Sequence, residues 1–153
     1  MPARSAGVLA FRKTSDGLEV LLVHPGGPFW RSKDAGAWSI PKGEFRPGEA
    51  AETVARREFA EELGTALTAP LRPLGEIKQR GGKVVEAFAA ETDLDAGGIT
   101  SNVFELEWPP RSGCMQRFPE VDHAAWFDLA EARVRINPAQ AAMLDRLVEI
   151  GGG

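Results

Sequence analysis

With one cysteine in 153 residues, Cys114, the chain cannot close an internal disulfide, and its stability has to come from a buried apolar core. Cys114 itself reads as a small hydrophobe or an inert loop residue rather than a nucleophile. A chain without disulfides suits a reducing compartment, so a cytoplasmic location is expected. No apolar run approaches the ~20 residues of a membrane span. Met1 to Ala10 also lacks the apolar centre and cleavage pattern of a secretion signal, so no membrane partner is expected. There is no basic excess: the net charge of −4 disfavours broad binding to nucleic acid or anionic membranes, and no stable nucleic-acid partner is expected. A nucleotide substrate stays open, because a bound divalent ion reverses the local field. No repeat or linker interrupts the chain. Residues 1–150 read as one domain and Gly151-Gly152-Gly153 as a disordered tail.

What is present is an alternation of strand-like and helix-like segments. Gly7 to Phe11 and Leu18 to His24 are short apolar runs around Thr14-Ser15-Asp16-Gly17, a hairpin turn. Pro25 to Gly48 is rich in Gly, Pro and Trp and reads as a long irregular connection, a place where function concentrates. Glu49 to Leu63 is the best helix, dominated by Ala, Glu, Arg and Leu and ended by Gly64. Leu74 to Arg80 and Lys83 to Glu91 read as strands around Gly81-Gly82, and Asn102 to Trp108 as another. Pro109-Pro110 opens a second loop to about Asp122, followed by a short strand, Ala124 to Phe127. Asn137 caps a last helix that has Pro138 at its first position and runs to about Ile150. The sum is an α/β domain with a mixed sheet between helices.

The chemistry concentrates on the central helix. At ~100° per residue, Glu58, Glu61 and Glu62 fall within roughly 100° of arc, while Phe59 and Leu63 lie to one side and can anchor the helix on a sheet. Three converging carboxylates repel one another. A hard divalent cation relieves that repulsion, and Mg²⁺ takes oxygen ligands while sharing its shell with substrate phosphates and water. Arg57 falls off the carboxylate face, where it can pair with Glu49 and hold the preceding loop.

The segment GEFRPGEAAETVARREFAEELGT fits the spacing G-x5-E-x7-R-E-U-x-E-E-x-G-U, with U an apolar residue, at Gly43, Glu49, Arg57, Glu58, Glu61, Glu62 and Gly64. It resembles the signature of the Nudix hydrolases. Phe59 and Thr65 depart from the aliphatic residues usual at the two U positions, which touches packing rather than metal ligation. Trp38-Ser39-Ile40-Pro41-Lys42-Gly43 resembles the family's lead-in strand. The resemblance implies an α/β/α sandwich over nearly the whole chain. It also implies attack of water on a diphosphate linkage in a nucleoside diphosphate derivative, with Mg²⁺, or Mn²⁺ in its place, as cofactor. Carried over by position, it implies Glu58 and Glu62 as principal metal ligands, Glu61 as a third and the Lys42 backbone carbonyl as another. Gly43, Glu49, Arg57 and Gly64 would be structural. Glu58, Glu61 or a carboxylate outside the box would orient or deprotonate the water. Glu120, six residues before Trp126-Phe127, is the favoured outside acid, ahead of Glu105 and Glu107 on a strand.

Lys42, Arg80, Lys83 and Arg111 are the cations expected to grip phosphates, with Lys78 and Arg117 as further candidates, and Trp30 and Trp38 are the aromatics expected to stack a base. The chain has no tyrosine, so the tyrosine that marks several dinucleoside-polyphosphate members downstream of the box is missing, and Gly81 stands where ADP-ribose hydrolases carry a proline. The lead-in is similar to members handling nucleoside triphosphates, diadenosine polyphosphates and inositol pyrophosphates. Ser101 to Gly113 resembles a bacterial subfamily described as predicted NTP pyrophosphohydrolases. A small-molecule nucleotide is therefore the expected partner. A non-catalytic nucleotide sensor and a hydrolase of RNA 5′ ends are the competing readings, and the acidic charge disfavours the second.

Overall fold

Buried residues follow one another without a break from Ala6 to Phe11, because the strand that holds them is covered on both faces. The computed structural model describes residues 4–152. In chain order the first elements are β1 (Arg4–Thr14), β2 (Gly17–Pro25), β3 (Lys42–Glu44) and α1 (Ala51–Leu63). Next come β4 (Arg72–Lys78), β5 (Val84–Glu91), β6 (Val103–Glu107), β7 (Met115–Pro119) and β8 (Val121–Asp128). Two short helices, α2 (Leu129–Arg135) and α3 (Ala142–Leu147), end the fold. The main sheet runs β4-β5-β1-β2-β8, with β3 paired to the start of β1. Only the β1–β5 pairing is parallel among these, so the sheet is mixed as expected.

Alternation along β1 splits the core in two. Ala6, Val8 and Ala10 meet Val54, Ala55, Phe59 and Leu63 of α1 on one face. Leu9 and Phe11 face the other way, toward Ala132, Met143, Leu144 and Leu147 of α2 and α3. This is the α/β/α sandwich, with Phe59 and Leu63 as the anchors of the central helix. Gly64 ends α1 at φ 74°, a left-handed cap that a side chain would strain, and its N–H donates to the Ala60 carbonyl.

Two expectations needed correction. Residues 115–119, expected within a loop, form β7 and pair with β6 in a two-stranded hairpin outside the main sheet. Only Phe118 of β7 is buried, so the strand carries no apolar alternation to betray it and is held by its backbone ladder. The last helix is broken: Pro138–Gln140 form a 3₁₀ turn, α3 follows, and Val148–Gly152 close in a π-helical turn. That turn takes in Gly151 and Gly152 of the expected tail, and Gly153 lies outside the described residues. Helix α2 was not among the expected elements, although Asp128-Leu-Ala-Glu131 has the spacing of a helix start, and the Asp128 side chain does accept from the Glu131 N–H.

Asn137 caps as expected, accepting from the Ala139 N–H. It delivers Gln140, which is wholly buried, to the strand leading into the box. Gln140 accepts from the Ile40 N–H at 3.1 Å and donates to the Ser39 hydroxyl at 3.0 Å. Gln140→Leu leaves the buried Ile40 N–H without a partner and should cost ~1–3 kcal/mol. A urea midpoint lowered at unchanged slope is the expected measurement; an unchanged midpoint would mean that water replaces the amide.

Candidate active site

The site is assembled where β3 meets α1. Gly7 of β1 lets β3 come close, since a side chain there would sit 2.5 Å from the Pro41 carbonyl oxygen. Gly43 does the same toward the helix: its absent Cβ would lie 2.1 Å from the carboxyl carbon of Glu58. The Lys42 N–H points away from β1 and donates to Glu62 at 3.0 Å. In extended backbone the N–H and C=O of one residue face the same side, so the Lys42 carbonyl is also turned toward the helix carboxylates.

Arg57 is the bracket of the site. It donates to both oxygens of Glu49, at 2.8 and 3.2 Å, and to the Glu44 carbonyl at 3.3 Å. Glu49 in turn accepts from the Arg46 N–H at 2.7 Å, which closes the loop before α1. The pairing of Arg57 with Glu49 is as expected, but Arg57 does not stand off the carboxylate face. It also donates to Glu58 at 2.7 Å and lies 3.6 Å from Glu61. A long side chain sweeps well beyond the angle of its own Cα, and this is why the helical projection misplaced it. The Arg57 guanidinium, followed by the Arg46 N–H, holds the Glu49 carboxyl below its ordinary range.

Glu120 reaches the same place from the far side of the sequence. Asn102 donates its N–H to the Glu61 carbonyl at 3.0 Å and accepts from the Glu120 N–H at 2.7 Å, so the β7–β8 junction is tied to the end of α1. Glu58, Glu61, Glu62 and Glu120 line one open cavity of about 560 Å³, together with Lys42, Gly43, Arg46, Arg57 and Asn102. Arg46 and Asn102 were missed by the sequence reading. The first sits inside the box spacing with no motif of its own, and the second acts through its backbone.

The cavity carries unrelieved negative charge. Burial, then the charge of Glu58, pushes the Glu62 carboxyl up to about 8, against the Lys42 N–H and ammonium that favour its ionised form. Burial and the charge of Glu61 raise Glu58 as well, with Glu120 adding to the effect, despite the contact with Arg57. Lys42 is pushed down, mainly by burial and partly by Lys83, while Glu62 pulls it back. This donor set is all oxygen, crowded and short of cations, which is what a hard divalent ion requires.

A NUDIX domain model matches residues 1–147 of the chain. The chain belongs to the NUDIX domain family. The family's general chemistry, pyrophosphohydrolysis of a nucleotide-like substrate, comes with that membership. Solved structures agree on the fold of this Nudix domain at low sequence identity. A C. elegans Ap4A hydrolase binary complex superposes with a TM-score of 0.70 at 20% identity, covering 97% of this chain and 98% of that one. The NUDIX domain of Shewanella oneidensis NrtR, complexed with ADP ribose, gives 0.67 at 16% identity, over 98% of this chain and 88% of that one. A mutT/nudix family protein from Listeria innocua gives 0.64 at 20%, over 98% and 94%. No curated protein matches the chain.

The other sequence candidates of this Nudix domain are scattered. Lys83 is exposed just before β5, outside the cavity lining, though near enough to Lys42 to lower it. Arg111 sits at the tip of the β6–β7 hairpin with φ 64°, its N–H donating to Glu107. Arg80 opens a 3₁₀ turn, and its side chain lies outside the described residues. Trp30 is part-exposed in the β2–β3 connection with the Lys33 ammonium over its ring, away from the carboxylates. Trp38 is core: it is 9% exposed, donates to Asp34 at 2.7 Å and packs edge-on against Phe127. Glu105 pairs loosely with Arg117 on the hairpin, and neither Glu105 nor Glu107 lines the cavity. Cys114 is an exposed hairpin residue. Among the described residues no helix is long and apolar enough to cross a membrane.

Proposed function

We propose that this Nudix domain hydrolyses a diphosphate linkage in a nucleoside triphosphate or dinucleoside polyphosphate, with Mg²⁺, or Mn²⁺ in its place, held by Glu58, Glu61, Glu62 and the Lys42 carbonyl. The observation that carries the reading is the cavity where four carboxylates converge with too few cations to balance them. Bound Mg²⁺ would neutralise the diphosphate and acidify the attacking water. The rest falls to the chain. Arg57 holds Glu58 in line, and the Lys42 N–H fixes one oxygen of Glu62. Lys42 and Arg46 supply positive charge on the cavity wall for substrate phosphates. Glu120, across the cavity from α1, takes the proton of the attacking water, a task that Glu58 or Glu61 could share. Lys83, Arg80 and Arg111 and the two indoles Trp30 and Trp38 stay secondary in this reading, Trp38 least of all because it is buried. The assignment to the bacterial NTP pyrophosphohydrolase group and the cytoplasmic location belong to the same proposal. The neighbouring fold of an Ap4A hydrolase supports keeping dinucleoside polyphosphates among the substrates.

A panel of nucleoside triphosphates, diadenosine polyphosphates, nucleotide sugars and capped RNA, each with Mg²⁺ or Mn²⁺, tests it. Ion-dependent turnover of a triphosphate or dinucleoside polyphosphate is expected, with kcat reduced ~10²-fold in Glu120→Gln, the usual range for losing a general base. Tight binding without turnover anywhere in the panel would replace the enzyme with a nucleotide sensor.

A further inference from the structure

A second cluster lies apart from the carboxylate cavity. His24 on β2 stands directly opposite His123 on β8, and Asp122 precedes the latter. One ligand atom from each of the three falls within 4.8 Å of the others. We propose that His24, Asp122 and His123 form a binding site for a divalent transition ion of the zinc class. None of the groups that carry the proposed hydrolysis takes part in it.

His24 Nε2 lies 2.6 Å from the Lys33 carbonyl, and a carbonyl oxygen can only accept, so Nε2 carries hydrogen. Its Nδ1 lies 2.8 Å from Asp122 Oδ1. A neutral ring would then set a nitrogen lone pair against a carboxylate lone pair. A divalent ion held between Nδ1 and Oδ1 would relieve that opposition. His123 Nδ1 approaches the same oxygen at 3.0 Å, so two imidazoles and one carboxylate converge on one point.

The surroundings are those of a metal-binding imidazole. Such a ring donates its second N–H to a carbonyl or carboxylate that fixes its orientation, and the Lys33 carbonyl does this here. His24 is 7% exposed and packed edge-on against Trp38, so it is set before any ion arrives. The His123 side chain is 74% exposed and can adjust. Ligands about 2.0–2.1 Å from zinc in a tetrahedron stand roughly 3.3 Å apart, so the present contacts need to open by only a few tenths of an ångström. A cavity of about 320 Å³ beside the three residues leaves room for a water or another fourth ligand. Asp34, also on that cavity, is engaged by Arg135 and the Trp38 indole. Two imidazole nitrogens and one carboxylate select a borderline ion such as Zn²⁺ over Mg²⁺, which is the reverse of the all-oxygen cavity.

The test is equilibrium dialysis of the full chain against Zn²⁺ in excess Mg²⁺, using Glu62→Gln to weaken the competing carboxylates. One Zn²⁺ per chain should be retained, and adding His123→Ala should weaken it at least tenfold with the melting curve of the ion-free protein unchanged. Co²⁺ in place of Zn²⁺ should give a visible ligand-field band that His123→Ala removes. Asp122→Asn gives a second variant with the same expected loss of Zn²⁺ affinity. Failure of Glu62→Gln to retain Zn²⁺, or equal retention by His123→Ala, overturns the site.

Discussion

Glu62→Gln should lower Mg²⁺-dependent turnover by roughly 10³-fold or more, the several kcal/mol that a divalent ion contributes to a phosphoryl transition state. The substitution keeps the shape of the side chain, and the amide oxygen can still accept from the Lys42 N–H. Only the charge goes. The same change should make the ion-free protein more stable, and only at higher pH. Folding raises this carboxyl from 4.5 to about 8, so between those values the folded state holds a proton that the unfolded chain has released. Stability therefore falls as pH rises through that window, reaches its full penalty above pH ~8, and is independent of this group below pH ~4.5. At about 1.4 kcal/mol for each pH unit of that window, with allowance for relaxation of the site, the penalty is on the order of 3 kcal/mol. Melting of wild type and variant in chelator should converge near pH 5 and separate near pH 9, the variant melting higher. Turnover at the wild-type rate would remove Glu62 from the metal site, and parallel melting curves would remove its buried charge.

Gly43→Ala should reduce kcat about 10²-fold with little loss of stability. Gly43 lies in extended strand that alanine adopts freely, so the backbone is not the obstacle. The new methyl would fall 2.1 Å from the Glu58 carboxyl carbon and 2.3 and 2.4 Å from its oxygens. The far end of a glutamate swings away cheaply, so the fold survives. It swings away from where it has to be, and a displacement of ~1 Å in a reacting constellation can cost two orders of magnitude. Circular dichroism and melting close to wild type, with Mg²⁺ affinity and kcat reduced together, is the expected combination. Normal activity would show that the Glu58 carboxylate works from a second position.

The site glycine and its target were legible in different degrees. That Gly43, Glu49, Arg57 and three glutamates belong together followed from their spacing. Why Gly43 has to be glycine did not, because the answer is an atom of Glu58 fifteen positions away along the chain and 2.1 Å away in space. Arg57 was placed off the acidic face by helical projection, although its guanidinium reaches Glu58 and Glu61 as well as Glu49. Strand β7 left no apolar pattern, and Trp38 looked like a loop indole while its ring was part of the core.

Local rules were enough wherever the interaction is local. The amphipathic helix, its left-handed Gly64 stop, the Ser15-Asp16 hairpin and the carboxylate face are set by residues within a few positions of one another, so the sequence alone determined the carboxylate helix and the fold class around it. The cavity is a meeting of β3, α1 and the β7–β8 junction, and the His24–Asp122–His123 cluster a meeting of β2 and β8. Only the tertiary structure decided these, because burial and opposing charge act through distance in space, which strand pairing sets and chain separation does not.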